Sequence, residues 1–246
     1  MQNLILIYNY VRSYIGLFIL GVNTIFWCAL GWLFHLIVPQ PRLGTFIMRG
    51  WSWVLLRAVS VRVVVKGLEN LPKEPSIIVF NHSSHFDIPC LVNATPRQIR
   101  FGAKIELFSI PVFGPTMRLI GMLPIARSNR EKVLEIYRQA VVRIKNGEWF
   151  CLAPEGTRQD GAQLGAFKKG PFIFAVAAQC NLVPVVIKGA HKVIPKGDII
   201  VNRGRWSSDV VVEFLPPISA LGTTEQDVDR LHDLAFEAMT RAYTRA

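Results

Sequence analysis

The sequence predicts an α/β fold: a mixed, largely parallel sheet flanked by helices, behind an N-terminal helical membrane anchor. Three observations carry this expectation. From Val61 onward, short apolar runs rich in β-branched residues alternate with longer amphipathic segments, the order that builds a sheet covered on both faces. No Asp, Glu, Lys or Arg falls between Arg12 and Arg42. The stretch Ser76 to Asp87 (SIIVFNHSSHFD) reads as a buried strand running into a polar turn and a helix start. Two parts follow: an anchoring segment, residues 1–60, and an α/β domain, residues 61–246.

Tyr14 to Val38 is almost wholly apolar, and a spanning helix needs roughly 20 such residues. Pro39 and Pro41 are expected to end it. Leu43 to Val59 carries Trp51, Trp53 and Leu55 beside Arg49 and Arg57, the mixture found on interfacial helices. Length and missing charge favour membrane attachment over a pair of buried core helices. Arg42, Arg49, Arg57, Arg62 and Lys66 follow the run and only Arg12 precedes it, which directs the bulk of the protein to the cytoplasmic face. No cleavable signal pattern is evident.

Val61 to Lys66 and Ser76 to Phe80 are expected strands. Ser83 and Ser84 are good helix N-caps. Arg100 to Lys104, Gly121 to Ala126 and Trp149 to Ala153 read as further strands. Ser128 to Asn146 reads as a helix, with Ser128 and Glu131 as a capping box and Gly147 closing it. Pro171 to Cys180 reads as a helix with proline in its first turn. Val183 to Ile187 and Val210 to Phe214 are strands. Thr224 to Arg245 is an amphipathic helix entered through Thr224 and Asp227.

Hydrophobic residues make up 51% of the 246, and the mean hydropathy of +0.31 is high for a purely soluble chain. The excess lies at the N-terminus. Twenty-eight Lys and Arg against 17 Asp and Glu give a formal charge of +11, which suits anionic lipid, nucleic acid, or an acidic carrier or substrate. The charge is dispersed and no nucleic-acid module is present, so a membrane surface accounts for it more simply. Cys28, Cys90, Cys151 and Cys180 are widely spaced, as buried free thiols would be. No phosphate-binding or dinucleotide-binding glycine motif occurs. His85 with His82 and Asp87 lacks a second cluster at ligand spacing, so no metal is expected.

His82 follows a strand end and Asp87 comes five residues later. Such positions do not share a helix face. With His82 on the turn and Asp87 in the first turns of the helix, the carboxylate reaches the imidazole. That pair makes a general base: a ring with an unperturbed pKa near ~6.5, and an acid that fixes its tautomer.

Four ordered blocks complete the pattern: Asn81-His82-Ser83-Ser84-His85-Phe86-Asp87; Lys104 through Pro111 and Gly114 to Gly121-Met122-Leu123-Pro124-Ile125-Ala126-Arg127; Pro154-Glu155-Gly156-Thr157-Arg158 followed by Phe167-Lys168-Lys169-Gly170; and Val183-Pro184-Val185. With these blocks the chain resembles the glycerolipid acyltransferases, most closely the 1-acyl-sn-glycerol-3-phosphate (lysophosphatidic acid) acyltransferases, across about Ser76 to Lys188. Ala153 departs from the aromatic usual before Pro-Glu-Gly. The resemblance implies transfer of a fatty acyl group from acyl-CoA or acyl-carrier protein, as co-substrate, to the sn-2 hydroxyl of lysophosphatidate, giving phosphatidate without a cofactor. It makes His82 the base and Asp87 its orienter, and it associates Lys104 and Arg158 with the acceptor. Arg127 and Lys168 are further cationic candidates. Glu155 would pair with Arg158 or hold an acceptor hydroxyl, Gly156 would let backbone approach the substrate, and Thr157 would cap a turn. The alternatives are another acceptor (glycerol-3-phosphate, a different lysophospholipid, a lyso-aminolipid), a thioesterase using the same base on water, and a non-catalytic lipid-binding protein.

Overall fold

The computed structural model of the protein describes residues 2–38, 40–202 and 205–245. Helix α1, Gln2–Phe34, is followed by a turn and α2, Gln40–Ala58. Pro39 lies outside the described residues, and Pro41 stands in the first turn of α2 rather than between the helices. α1 is long and apolar enough to cross a membrane by length and composition, and most of its apolar window is unburied. Leu4, Ile7, Val11, Phe18, Ile25 and Leu33 face outward. Trp27 lies across Gly50, where a Cβ would approach it within 2.0 Å. Only glycine admits that crossing.

Buried polar residues interrupt the apolar surface of α1 in its N-terminal half. Asn9, Arg12 and Ser13 are buried and grip the segment before the seventh strand. Asn9 donates to Asn202 O (2.9 Å), Arg12 to Trp206 O (2.5 Å) and Arg205 O (3.2 Å), and Val201 N–H donates to Ser13 Oγ (2.9 Å). The N-terminal half of α1 is thus latched to the α/β domain by polar contacts that a lipid-facing helix would not otherwise carry.

Strands β1 (Val61–Lys66), β2 (Ile77–Phe80), β3 (Ile99–Lys104), β4 (Leu123–Ile125), β5 (Trp149–Leu152), β6 (Asn181–Lys188), β7 (Ser208–Phe214) and β8 (Ile218–Ser219) form one sheet. Its order is β1-β7-β6-β2-β5-β3-β4, with β8 beside β6. Only β6–β7 and β6–β8 pair antiparallel among the described residues, so the sheet is mixed and largely parallel. Between the strands lie α3 (Asp87–Ala94), α4 (Phe113–Leu119), α5 (Arg130–Lys145) and α6 (Gly170–Ala178), and α7 (Val228–Thr244) closes the chain.

Alternation along each strand sends successive residues to opposite faces. Ile78, Phe80, Cys151 and Val185 meet α2 and α3 on one face; Ile77, Val79, Phe150 and Leu152 meet α5, α6 and α7 on the other. Both faces are dry, which is why the central strands read as continuous apolar runs. Leu43, Ile47 and Leu56 of α2, with Val59 just after it, belong to the first core, so that helix serves the sheet as well as α1.

Pro184 sits in the central strand β6, where a missing N–H is usually costly. Its carbonyl accepts from Leu215 N–H (2.9 Å), so its nitrogen points to the same side. There β7 pairs residues 185–188 and β8 pairs 181–182, leaving Pro184 at the gap between the two partners.

Several expected boundaries shift for local reasons. Asn129, not Ser128, caps α5: it is extended and accepts from Lys132 N–H (2.9 Å). The Thr224–Asp227 capping box forms, but on a 3-10 turn leading into α7. Ser83 and Ser84 do not cap α3. It starts at Asp87 after Phe86, and the Ser84 hydroxyl is spent ahead of it, accepting Phe86 N–H (3.3 Å) and donating to Ile194 O (3.0 Å).

Candidate active site

β2 and β5 are parallel neighbours, so the residues that follow them emerge side by side at the carboxyl edge of the sheet, where α/β sites gather. Asn81 prolongs β2 with its side chain: Nδ2 donates to Ile187 O (2.9 Å) and Oδ1 accepts Ile187 N–H (2.7 Å). That pairing fixes the point from which His82 leaves.

His82 Nδ1 lies 2.8 Å from Asp87 Oδ2. The same oxygen accepts Ser83 N–H (2.7 Å) and Ser84 N–H (2.8 Å). The turn 83–86 therefore closes on a fully buried carboxylate, while the His82 side chain keeps 14% exposure. An Nδ1–H donated to Asp87 leaves the Nε2 lone pair to accept a proton. Ser84 Oγ donates to Ile194 O (3.0 Å), tying this turn to the segment that α1 grips.

The turn after β5 meets it from the other side. Glu155 accepts His82 N–H on Oε2 (2.6 Å) and Gly165 N–H on Oε1 (2.9 Å), and Gln159 N–H donates to His82 O (2.7 Å). Both Glu155 oxygens accept backbone N–H groups, and of the two roles open to it, pairing with Arg158 or holding an acceptor hydroxyl, neither is what binds it here. Burial raises its pKa, and the two backbone N–H groups pull it back. Glu155→Gln is expected to set an amide NH₂ against one of these N–H groups and cost about 1–3 kcal/mol, read as a lowered unfolding midpoint.

The other sequence-predicted residues divide between two places. Arg158 is half-buried and charges the mouth of the site: partial desolvation of the ring first, then repulsion by Arg158 and by His82 when it is protonated, hold His85 below the ordinary histidine value. His85 itself is exposed at the rim. Lys104 is 51% exposed and lies 3.5 Å from Glu106. Arg127 is exposed and lines a neighbouring groove together with Gly156 and Lys168. Gly156 has φ +69°, and a Cβ there would come within 3.0 Å of the Lys168 side chain. Thr157 is exposed, its carbonyl accepting from Gln159 Nε2.

All four cysteines are free and buried. Burial pushes the Cys90 and Cys151 thiols up, and Cys180 up to about 12, so none of these three is a thiolate nucleophile. Among the described residues, no three His, Cys, Asp or Glu side chains converge as a metal site would require. The arrangement can take a proton from a hydroxyl or water at His82 Nε2, with an anion held near Arg158.

The profile of the Acyltransferase family matches residues 62–188, more than half of the chain. The chain belongs to that family. An acyltransferase relative from Arabidopsis thaliana, a chloroplastic 1-acyl-sn-glycerol-3-phosphate acyltransferase, is 32% identical over 65% of this chain and 45% of its own length. The chain spans about half the length of that relative and of its Brassica napus counterpart, 45% and 49%. The 1-acyl-sn-glycerol-3-phosphate acyltransferase of Pseudomonas aeruginosa is 27% identical over 92% of this chain and 87% of its own. The crystal structure of the 1-acyl-sn-glycerophosphate acyltransferase from Thermotoga maritima matches with a TM-score of 0.79 and 25% identity, covering 100% of this chain and 99% of that one.

The accessory groups of the site have no signature in the sequence. Asn81 stands just past the apolar run of β2, yet its side chain continues the sheet pairing. The Gly165 and Gln159 contacts depend on a loop folding back, for which no local signal exists.

Proposed function

We propose that this chain transfers a fatty acyl group from an acyl thioester to the sn-2 hydroxyl of 1-acyl-glycerol-3-phosphate, giving phosphatidate. The observation that carries the reading is the buried Asp87 carboxylate 2.8 Å from His82 Nδ1, at the strand ends of an acyltransferase domain and beside the Arg158 cation. The names of its relatives support the choice of acceptor.

In this reading His82 Nε2 takes the proton as the acceptor oxygen attacks the thioester carbonyl. The C–O bond forms, the C–S bond breaks, and the departing thiolate receives that proton back. Asp87 stabilises the imidazolium between the two transfers. Arg158 offers a planar fork for the phosphate and Lys104 a point charge. The acyl donor is acyl-CoA or acyl-carrier protein. α1 attaches the enzyme to anionic membrane lipid, with the α/β domain on the cytoplasmic face. Release of full-length protein from membranes by high salt would argue against insertion.

The test is an acceptor panel with purified enzyme in lipid. Phosphatidate formation is expected with lysophosphatidate. Activity only with other lysolipids, or free fatty acid released without acceptor, would overturn the assignment. Arg158→Ala is expected to raise the KM for lysophosphatidate by about tenfold or more, the scale of a lost charge-assisted contact. Arg158→Lys should recover only part of it, because the fork is gone.

A further inference from the structure

Next to the His82 site lies a groove of about 650 Å³ at the carboxyl ends of β3, β4 and β5, on the side covered by α5 and α6. Such a volume is ordinary for a small-molecule site. Its lining is amphiphilic in a defined way. Arg127, Arg130, Lys168 and Lys169 edge it; Leu134, Leu152, Phe167 and Ile173 form its walls. No Asp or Glu lines it among the described residues. Lys169 is engaged with Asp229 at 2.6 Å, and Arg127 lies in the field of Glu106. Arg130 and Lys168 make no ion pair among the described residues. Cations at this density on an apolar trough are unfavourable to one another unless an anion joins them.

The groove and the base share a wall. Ala153, Pro154 and Gly156 line the groove, while Glu155, between them, holds His82 N–H at 2.6 Å. Lys168 N–H donates to Pro154 O (2.8 Å), and its side chain lies over Gly156. A ligand seated in the groove is thus separated from His82 by a single turn of chain.

We propose that this groove binds the phosphate-bearing carrier arm of the acyl-thioester donor. The inference rests on the acyl-transfer reading and adds which substrate lies where. In the acceptor, the phosphate is only a few bonds from the reacting hydroxyl, so its cation belongs near the base, where the field of Arg158 reaches His85. In a thioester donor built on phosphopantetheine, the phosphate stands a whole flexible arm away from the reacting carbonyl. A cation set outside the mouth of the base, bordering an apolar trough, suits a phosphate that does not sit beside the reacting carbonyl. The small side chain of Ala153 leaves the shared wall low where the thioester would cross to His82.

The test uses the full-length protein in detergent micelles and the double variant Arg130→Glu with Lys168→Glu, both exposed positions, with an unchanged unfolding midpoint as the fold control. Calorimetry with CoA as the probe is expected to show affinity lowered by about tenfold or more. Kinetics are run with palmitoyl-CoA and with palmitoyl-acyl-carrier protein. For whichever donor the unmutated enzyme uses, the donor KM is expected to rise by a similar factor while the lysophosphatidate KM holds; Arg158→Ala should give the opposite pattern. A rise confined to the lysophosphatidate KM would assign the groove to the acceptor and overturn the proposal, as would no change in either. If no acyl transfer occurs at all, CoA binding that the double variant abolishes would still uphold the groove while the activity reading fails. Transfer with unaltered donor affinity would sink the groove alone.

Discussion

His82→Ala is expected to lower kcat by about 10²- to 10⁴-fold, the range that a positioned general base contributes. The substitution removes the one ring that Asp87 orients and that retains an open edge toward the mouth of the site. The fold should survive. The backbone of His82 carries the ties to Glu155 and Gln159, and these do not need the imidazole. The measurement is phosphatidate formed from lysophosphatidate and palmitoyl thioester, alongside a thermal melt. A large loss at an unchanged midpoint assigns the effect to chemistry. Turnover within a few-fold of the unmutated enzyme would remove His82 from the mechanism. Lysophosphatidate binding should persist in the variant, since Arg158 is untouched.

The ease of locating His82 in the sequence contrasts with the difficulty of placing its surroundings. The strand Ile77–Phe80 is legible because it is buried on both faces and therefore apolar throughout. α5 is legible because Tyr137, Ala140 and Ile144 recur at helical spacing. α4 is not: Phe113–Leu119 is too short for a period to show, contains Gly114 and Pro115, and is entered through Val112 at φ +66°. At the site, Asp87 was reachable by spacing alone, since the serine turn brings it back over a short loop. Glu155 was not. Its acidity suggested a cation or a hydroxyl, but burial among unpaired backbone N–H groups decided its partners. Buried donors claim a carboxylate ahead of a half-buried guanidinium that water can still reach, because leaving them unmade costs more. The same reasoning governs Arg12. A lone cation before an apolar run reads as a flank of a membrane segment, whereas its partners are carbonyls of residues nearly the whole chain away. Neither tie has a sequence pattern; each follows from two distant loops being brought to one place by the sheet.

Asp87→Asn separates charge from shape at the centre of the site. Asp87 Oδ2 receives three donors, His82 Nδ1 and the N–H groups of Ser83 and Ser84. An asparagine oxygen in the same place can accept all three, so the turn should close and the unfolding midpoint should move little. The negative charge, however, is gone. Nothing then offsets the imidazolium that forms when His82 takes the hydroxyl proton, and the preference for the Nδ1–H tautomer weakens. The expected result is a fall in kcat of about 10²- to 10⁴-fold, comparable to His82→Ala, with the lysophosphatidate KM held by Arg158. Asp87→Ala is the contrasting variant. It leaves the Ser83 and Ser84 N–H groups buried without an acceptor, at about 1–3 kcal/mol each, and should lower stability as well as rate. In the proposed mechanism His82 and Asp87 act as one unit, so the double variant His82→Ala with Asp87→Asn should be little slower than either single one. Losses that multiplied instead would mean the carboxylate acts on the reaction by a route that does not pass through the ring.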